Sequence, residues 1–417
     1  MRRGLACIAL LGLLAFVSTH GPLAGLSVVR VVPETKLKLT LLQRLLAQRQ
    51  SLDIWKEPAC VSCAVDIRLT PLESDDVTSA LKEHGFKPTI LIDDVQLLLD
   101  YQRNQLFKRR SAEFDYGQYH TLDEINDWIL NKTNVYKSLT LLFNITKSYE
   151  GRMMTGLKIS TPSQFTKPAF FIMGGIHARE WISPATAIYM FGQMLDRYKI
   201  DSDITKMVDM FDWYLLPITN PDGYAFTWTG DQNRLWRKTR SKHGLCYGVD
   251  PNRNWDIQWC ETEGASKDPC SETYCGPSAF SEVEVKGVAA FLQGIKGLKG
   301  FIDVHSYSQL WMSPWGYTRN LSKDFQQQDA ASAAATDALH KVYGTKYAHG
   351  SIANTIYIAS GTSTDWAYGK IDVKYAFGVE LRDTEKYGCL LPEDQIIPSG
   401  IETLQGLMAL ASYVKDN

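Results

Sequence analysis

The chain has 417 residues, 45% of them apolar, and a formal net charge of −2. That length suits two or three domains with a sizeable core. The near-neutral balance, without a long block of like charges, leaves no electrostatic footprint for nucleic acid and no charged binding tail.

In chain order, Met1-Arg2-Arg3, the apolar run Leu5 to Val17, and small residues at Ser18 and Gly21 to Gly25 read as a secretory signal over residues 1–25. The run is too short to span a bilayer comfortably. The polar C-terminus ALASYVKDN does not suit a lipid anchor. Asn-x-Ser/Thr triplets at Asn131, Asn144 and Asn320 fit a secreted, glycosylated chain.

Residues 26–110 read as a small α+β domain. SVVRVV is β-rich, TKLKLTLLQRLLAQRQ has helical spacing and AVDIRLT alternates like a strand. SDDVTSALKEHG reads as a helix with Ser74 as N-cap and Gly85 as its stop. TILI is a further strand and DDVQLLLDYQRNQLF a further helix, which suits a sheet with helices on one face. Cys60 and Cys63 form a CxxC in PACVSCAV, where Pro58 and Ser62 indicate a loop, so a local disulfide or two free thiols is expected rather than a redox motif. Lys108-Arg109-Arg110 then closes the segment, and exposed basic linkers are where proteases cut.

Residues 111–417 carry a second pattern. PAFFIMG, DWYLLPI, LKGFIDVHS and KYAFGVEL are near-continuous apolar runs, as in strands buried on both faces. WISPATAIYMFGQMLDRYK, SEVEVKGVAAFLQGI and DAASAAATDALHKVYG read as helices between them. The alternation predicts an α/β fold with a mixed sheet, whose ligands sit beyond the strand ends. Four cysteines, Cys246, Cys260, Cys270 and Cys275, cluster in this half and read as two disulfides of unspecified pairing. Cys389 is left over as a buried small hydrophobe.

His177 and Glu180 follow one predicted strand at a Gly174-Gly175 turn. An imidazole and a carboxylate three apart can face one point if the chain turns helically, and both are zinc ligands. The spacing alone is weak; His120 and Asp123 make a similar HxxD that receives no weight. His305 strengthens it by ending another apolar strand, so a third ligand arrives from a distant strand end and leaves a coordination place open. Asp250 is a candidate acceptor for a ligand imidazole's other nitrogen. Glu380 ends a strand after mostly apolar residues, a costly place for an ionisable group without a task or a partner; Arg382 could alternatively pair with Asp383. Arg237 and the pair Asn252-Arg253 add donors that match a carboxylate. Together these residues predict hydrolysis of something with a terminal carboxylate.

With these residues in place, the sequence resembles the zinc metallocarboxypeptidases of the pancreatic A/B type. HAREW, PNRNWD, HSYSQL, IYIASG and ELRDT occur in that family's order, and NPDGYAF, NRLWRKTR and LPEDQIIP also fit. VVRVVPETK and LKEHGFKPTILIDDVQLLLD resemble its activation segment, and FDYGQYHTLDEI the start of its mature enzyme. The resemblance implies a mixed, largely buried eight-stranded sheet flanked by helices, preceded by an α+β open-sandwich prodomain. It implies one zinc ion on His177, Glu180 and His305, with Glu380 as the general base activating zinc-bound water and Arg237 stabilising the oxyanion. Asn252, Arg253 and Tyr357 would hold the terminal carboxylate, with Arg179, Ser306 and Tyr307 in neighbouring substrate subsites and Asp250 behind the ligands. It also implies disulfides Cys246–Cys270 and Cys260–Cys275, a trypsin-like activating cut after Arg110, and a secreted monomer acting on peptide or protein C-termini without a membrane anchor. Intact Glu380 and Arg237 disfavour a non-catalytic relative; the leader and cysteines disfavour a cytosolic or surface enzyme.

The specificity pocket is read through the same resemblance. Basic-specific members place an acid at its base, where this chain has Thr364; Asp365 is common to both types. The remaining wall, Met312, Gly316, Ile352, Ile356, Ala359 and Gly378, is apolar and roomy, which implies a preference for aromatic and aliphatic terminal residues. Asp303 lies two residues before His305, so both side chains point the same way. Either Asp303 reaches the pocket and admits basic residues, or it pairs with a cation at the rim.

Overall fold

The structure is a computed structural model describing residues 21–49, 52–58, 60–107, 113–384 and 386–417. Most of the leader and the basic cluster Lys108 to Arg110 lie outside the described residues.

The amino-terminal unit carries β1 (Ser27–Val31), β2 (Asp53–Lys56), β3 (Val65–Leu69) and β4 (Thr89–Ile92). They form an antiparallel sheet of order β2-β3-β1-β4. Strand alternation sorts its two faces. Val29, Val31, Val65, Ile67 and Leu69 pack with Leu42 and Leu46 of helix Lys36–Ala47 and Val77 and Leu81 of helix Pro71–Glu83. Val28 and Asp66 turn the other way, onto the second unit. Leu23, within the range assigned to the leader, is also packed, with Val95 and Leu99.

Helix Pro71–Glu83 begins at Thr70 and not at Ser74. Thr70 Oγ1 accepts from Glu73 N at 3.3 Å, and Glu73 Oε2 accepts from Thr70 N at 2.9 Å. Pro71 has no N–H to leave unpaired in the first turn, so this capping box wins over the later serine.

The second unit contributes β5 (Thr140–Lys147), β6 (Met153–Ile159), β7 (Ala169–Met173), β8 (Asp212–Leu216), the short pair β9 (Lys242–His243) and β10 (Cys246–Tyr247), β11 (Leu298–Ser306), β12 (Leu310–Ser313), β13 (Ala348–Ser351) and β14 (Tyr375–Leu381). Eight of them form a mixed sheet of order β13-β12-β14-β11-β7-β8-β6-β5. The central neighbours β14, β11, β7 and β8 are parallel. Phe170, Ile172, Trp213, Ile302, Val304 and Phe377 face one helical layer, which includes Ile182–Asp196, Phe325–Tyr343 and Ile396–Asp416. Phe171, Met173, Leu216, Phe301 and Ala376 face the other, formed by Val283–Gly294 and Ser363–Ile371. Each fully buried Val, Leu, Ile, Met or Phe among them stabilises by roughly 1.5–3 kcal/mol relative to exposure.

That second face becomes the site as the strands run out. On β11 the series is Phe301, Asp303, His305, and on β14 it is Ala376, Gly378, Glu380. The parallel register sets Asp303 against Gly378 and His305 against Glu380. Three disulfides, Cys60–Cys63, Cys246–Cys270 and Cys260–Cys275, staple the loops, and Cys389 is free and buried.

Candidate metal centre and substrate cleft

β7 ends at Met173, and Gly174-Gly175 turn the chain over the sheet edge. Gly175 has φ +58°, and a Cβ there would lie 3.1 Å from the Pro217 carbonyl oxygen, so glycine suits the turn on both counts. The turn delivers His177 and Glu180 just before helix Ile182–Asp196. His177 Nδ1 lies 2.8 Å from Glu180 Oε1, and His305 Nδ1 lies 3.2 Å from Glu180 Oε2 and 3.1 Å from His177 Nδ1. All three side chains are buried, and their converging donor atoms could hold one metal ion. Two imidazole nitrogens and a carboxylate suit zinc with a position left open. Asp250, fully buried, sits 3.2 Å from His177 Nε2 and so directs the Nδ1 lone pair at the centre. Burial opposes ionisation of Glu180, but the His177 and His305 imidazoles hold its carboxyl well below the usual range.

Glu380 stands beside His305 with Oε2 buried and unpartnered among the described residues. Burial pushes its carboxyl up to about 8, against the pull of His305 and with Glu180 adding to the rise. Arg237 donates to Asp250 Oδ2 at 2.9 Å and lies 3.7 Å from Glu180 Oε1. Arg253 is held by the Gly264 and Asn252 carbonyls, with its guanidinium 5.7 Å from the Tyr357 ring centre. Asn252 N donates to Asp250 Oδ1 at 2.9 Å, so one aspartate orients His177, Arg237 and Asn252 together. Arg382 pairs with Glu402 rather than Asp383.

Met312, Ile352 and Ile356 form one apolar cluster with Leu310, and Tyr357 packs against it. Gly378 lies between Met312 and Asp303 in the sheet, and the nearest atom to a Cβ there would be Thr364 Oγ1 at 3.5 Å. Asp365 accepts from the Gly316 and Tyr317 amides, and burial pushes it up to about 7; it serves the backbone. Asp303 is fully buried beside Gly378 in the sheet rather than at a rim, and its Oδ2 lies 3.0 Å from His305 Nε2.

The cleft is filled from the amino-terminal unit. Trp55 and Lys56 of β2 line it together with His177, Glu180, Arg237, Ser306, Tyr307, Tyr357, Glu380 and Cys389, leaving about 20 Å³ free. Asp53 accepts from Arg179 at 3.0 and 3.1 Å and pairs with Arg68 at 2.8 Å. Asp66 accepts from Tyr307 Oη at 2.8 Å and is paired bidentately by Arg30. Trp55 packs edge-on against Tyr307. β2 is not legible in the sequence, because DIWK carries neither alternation nor a turn signal.

Comparison with known proteins agrees with this geometry. The family model described as zinc carboxypeptidase matches residues 125–406, and that described as carboxypeptidase activation peptide matches residues 29–102. Carboxypeptidase A2 of Mus musculus is 41% identical over 98% of this chain and 98% of its own. Carboxypeptidase B of Astacus astacus is 48% identical over 72% of this chain and 99% of its own. The crystal structure of thrombin activatable fibrinolysis inhibitor superposes with a TM-score of 0.84 at 36% identity, covering 94% of this chain and 99% of that one. The chain belongs to the zinc carboxypeptidases, metal-dependent hydrolases, and carries that family's activation peptide.

Proposed function

We propose that the protein is a secreted zymogen whose activated form removes aromatic and aliphatic residues from peptide C-termini. The observation that carries the reading is the convergence of His177, Glu180 and His305 on one point beside Glu380, whose buried Oε2 has no hydrogen-bond partner among the described residues. His177, Glu180 and His305 would hold the zinc ion, which when bound polarises the scissile carbonyl and acidifies water. Asn252, Arg253 and Tyr357 bind the substrate's terminal carboxylate, which places the last peptide bond over the centre. Glu380 takes a proton from the attacking water and returns it to the leaving amine. Arg237, already oriented by Asp250, stabilises the oxyanion that forms as the carbonyl is attacked.

The wall of Met312, Ile352, Ile356 and Ala359, open above Gly378 beside Thr364, supports the preference for a large apolar side chain. Relatives named A and B both match, so names do not decide specificity. Secretion is supported by the leader-like start and by disulfides suited to an oxidising compartment; no described helix is long and apolar enough to cross a membrane. Residues 26–110 act as the activation segment and 111–417 as the enzyme, separated by a trypsin-like cut after Arg110.

The test is release from matched peptides ending in Phe, Trp, Leu, Arg and Lys, followed by mass spectrometry after trypsin treatment, with and without a chelator. The reading predicts chelator-sensitive release with Phe ahead of Arg; Arg ahead of Phe overturns the specificity.

A further inference from the structure

Asp303 is fully buried on β11, two residues before His305. Its Oδ2 lies 3.0 Å from His305 Nε2 and accepts from Ser363 Oγ at 2.5 Å. The ring's other nitrogen, Nδ1, faces His177 and Glu180. An ionised carboxylate can only accept, so the imidazole proton belongs on Nε2 and the lone pair on Nδ1. Asn252 Nδ2 also lies 3.2 Å from Nε2. Two donors cannot share that contact, so the Asn252 amide finds no acceptor there and can serve a ligand instead.

Asp303 has no exposed surface, and among the described residues no lysine or arginine pairs with it. Its second oxygen, Oδ1, is buried without a hydrogen-bond partner among the described residues. A half-satisfied buried carboxylate is a cost to the fold. Ser363, first residue of helix Ser363–Ile371, fixes the carboxylate from one side and donates its own N–H to Asn252 Oδ1 at 2.9 Å. Asp250 and Asp303 thus stand behind the two histidines, and Asn252 touches both arrangements.

We propose, resting on the three-ligand reading above, that Asp303 is a positioning residue: it fixes the tautomer and rotation of His305 so that Nδ1 presents its lone pair to the metal. His177 takes its aspartate from a loop 73 residues away, whereas His305 takes its own from the same strand. The carboxylate is spent on the metal centre and is not available to a basic substrate.

The test uses the full chain as wild type, D303N and S363A. Zinc affinity is measured by competition with a chromophoric chelator, and thermal unfolding is followed with and without zinc. Removing such an outer partner weakens metal binding about 10- to 100-fold, so D303N loses that much while its zinc-free form unfolds no earlier than wild type. S363A shifts affinity in the same direction by less, and decides the matter should D303N not fold. Zinc affinities within twofold of wild type for the folded variants, or equal destabilisation with and without zinc, overturn the role of Asp303 alone. A wild type that takes up no zinc overturns the three-ligand reading as well.

Discussion

Glu180 and Glu380 are both buried carboxyls at one strand edge, and their surroundings drive them apart. The two imidazoles hold Glu180 ionised, while burial keeps Glu380 protonated up to about 8. Such divergence separates a ligand from a proton carrier. E380Q is expected to keep zinc while losing about a hundred- to ten-thousandfold in kcat/KM; equal loss of zinc would make Glu380 a ligand instead. The sign with pH follows from the raised value. The folded state keeps this proton after the unfolded state has lost it, so the stability linked to Glu380 falls as pH rises towards 8. A base must be ionised to act, so activity rises over the same interval. A cation beside the carboxyl lowers its pKa, so the ascending limb of kcat/KM is expected between the ordinary glutamate range and about 8. A flat profile there would contradict the assignment. At this scale the sequence was informative where chemistry and strand ends coincide, as at His305 and Glu380. Strand period put Asp303 on the same side as His305, but the sequence was silent where a partner is fixed by three-dimensional contact, as with Asp303 and Ser363.

Strands announce themselves according to what covers them. β7, β8, β11 and β14 lie between two helical layers, and their apolar runs were legible. The outer strands β5, β6, β12 and β13 were not, because TLLFNITK and AHGS are only partly buried and LWMS is short. β2 gave the least signal and holds the most informative position, since its Asp53 meets Arg179 across 126 residues of sequence. Stranding one partner of a buried ion pair costs about 3–5 kcal/mol, and the Arg179 side chain is 2% exposed. D53N is therefore expected to loosen β2 from the cleft. Basal hydrolysis of a small chelator-sensitive substrate should rise before any trypsin treatment, and limited trypsin cleavage should quicken. Unchanged basal hydrolysis would show that this pair does not hold the cleft closed.

For the molecule as a whole, one sheet edge collects the ends of β7, β11 and β14, and the amino-terminal unit sets the face bearing Arg30, Asp53 and Asp66 over it. The division into two units was visible in the change of pattern after the basic cluster, but the contacts that join them were not, since each links side chains far apart in sequence. Everything functional depends on one convergence of side chains at that edge. Its most direct measurement is zinc-edge anomalous diffraction from crystals of the full chain, with metal stoichiometry on wild type and H305A. The account predicts one ion within bonding distance of His177 Nδ1, His305 Nδ1 and the Glu180 carboxylate, and its loss in H305A. An ion bound elsewhere, or full occupancy without His305, would contradict it.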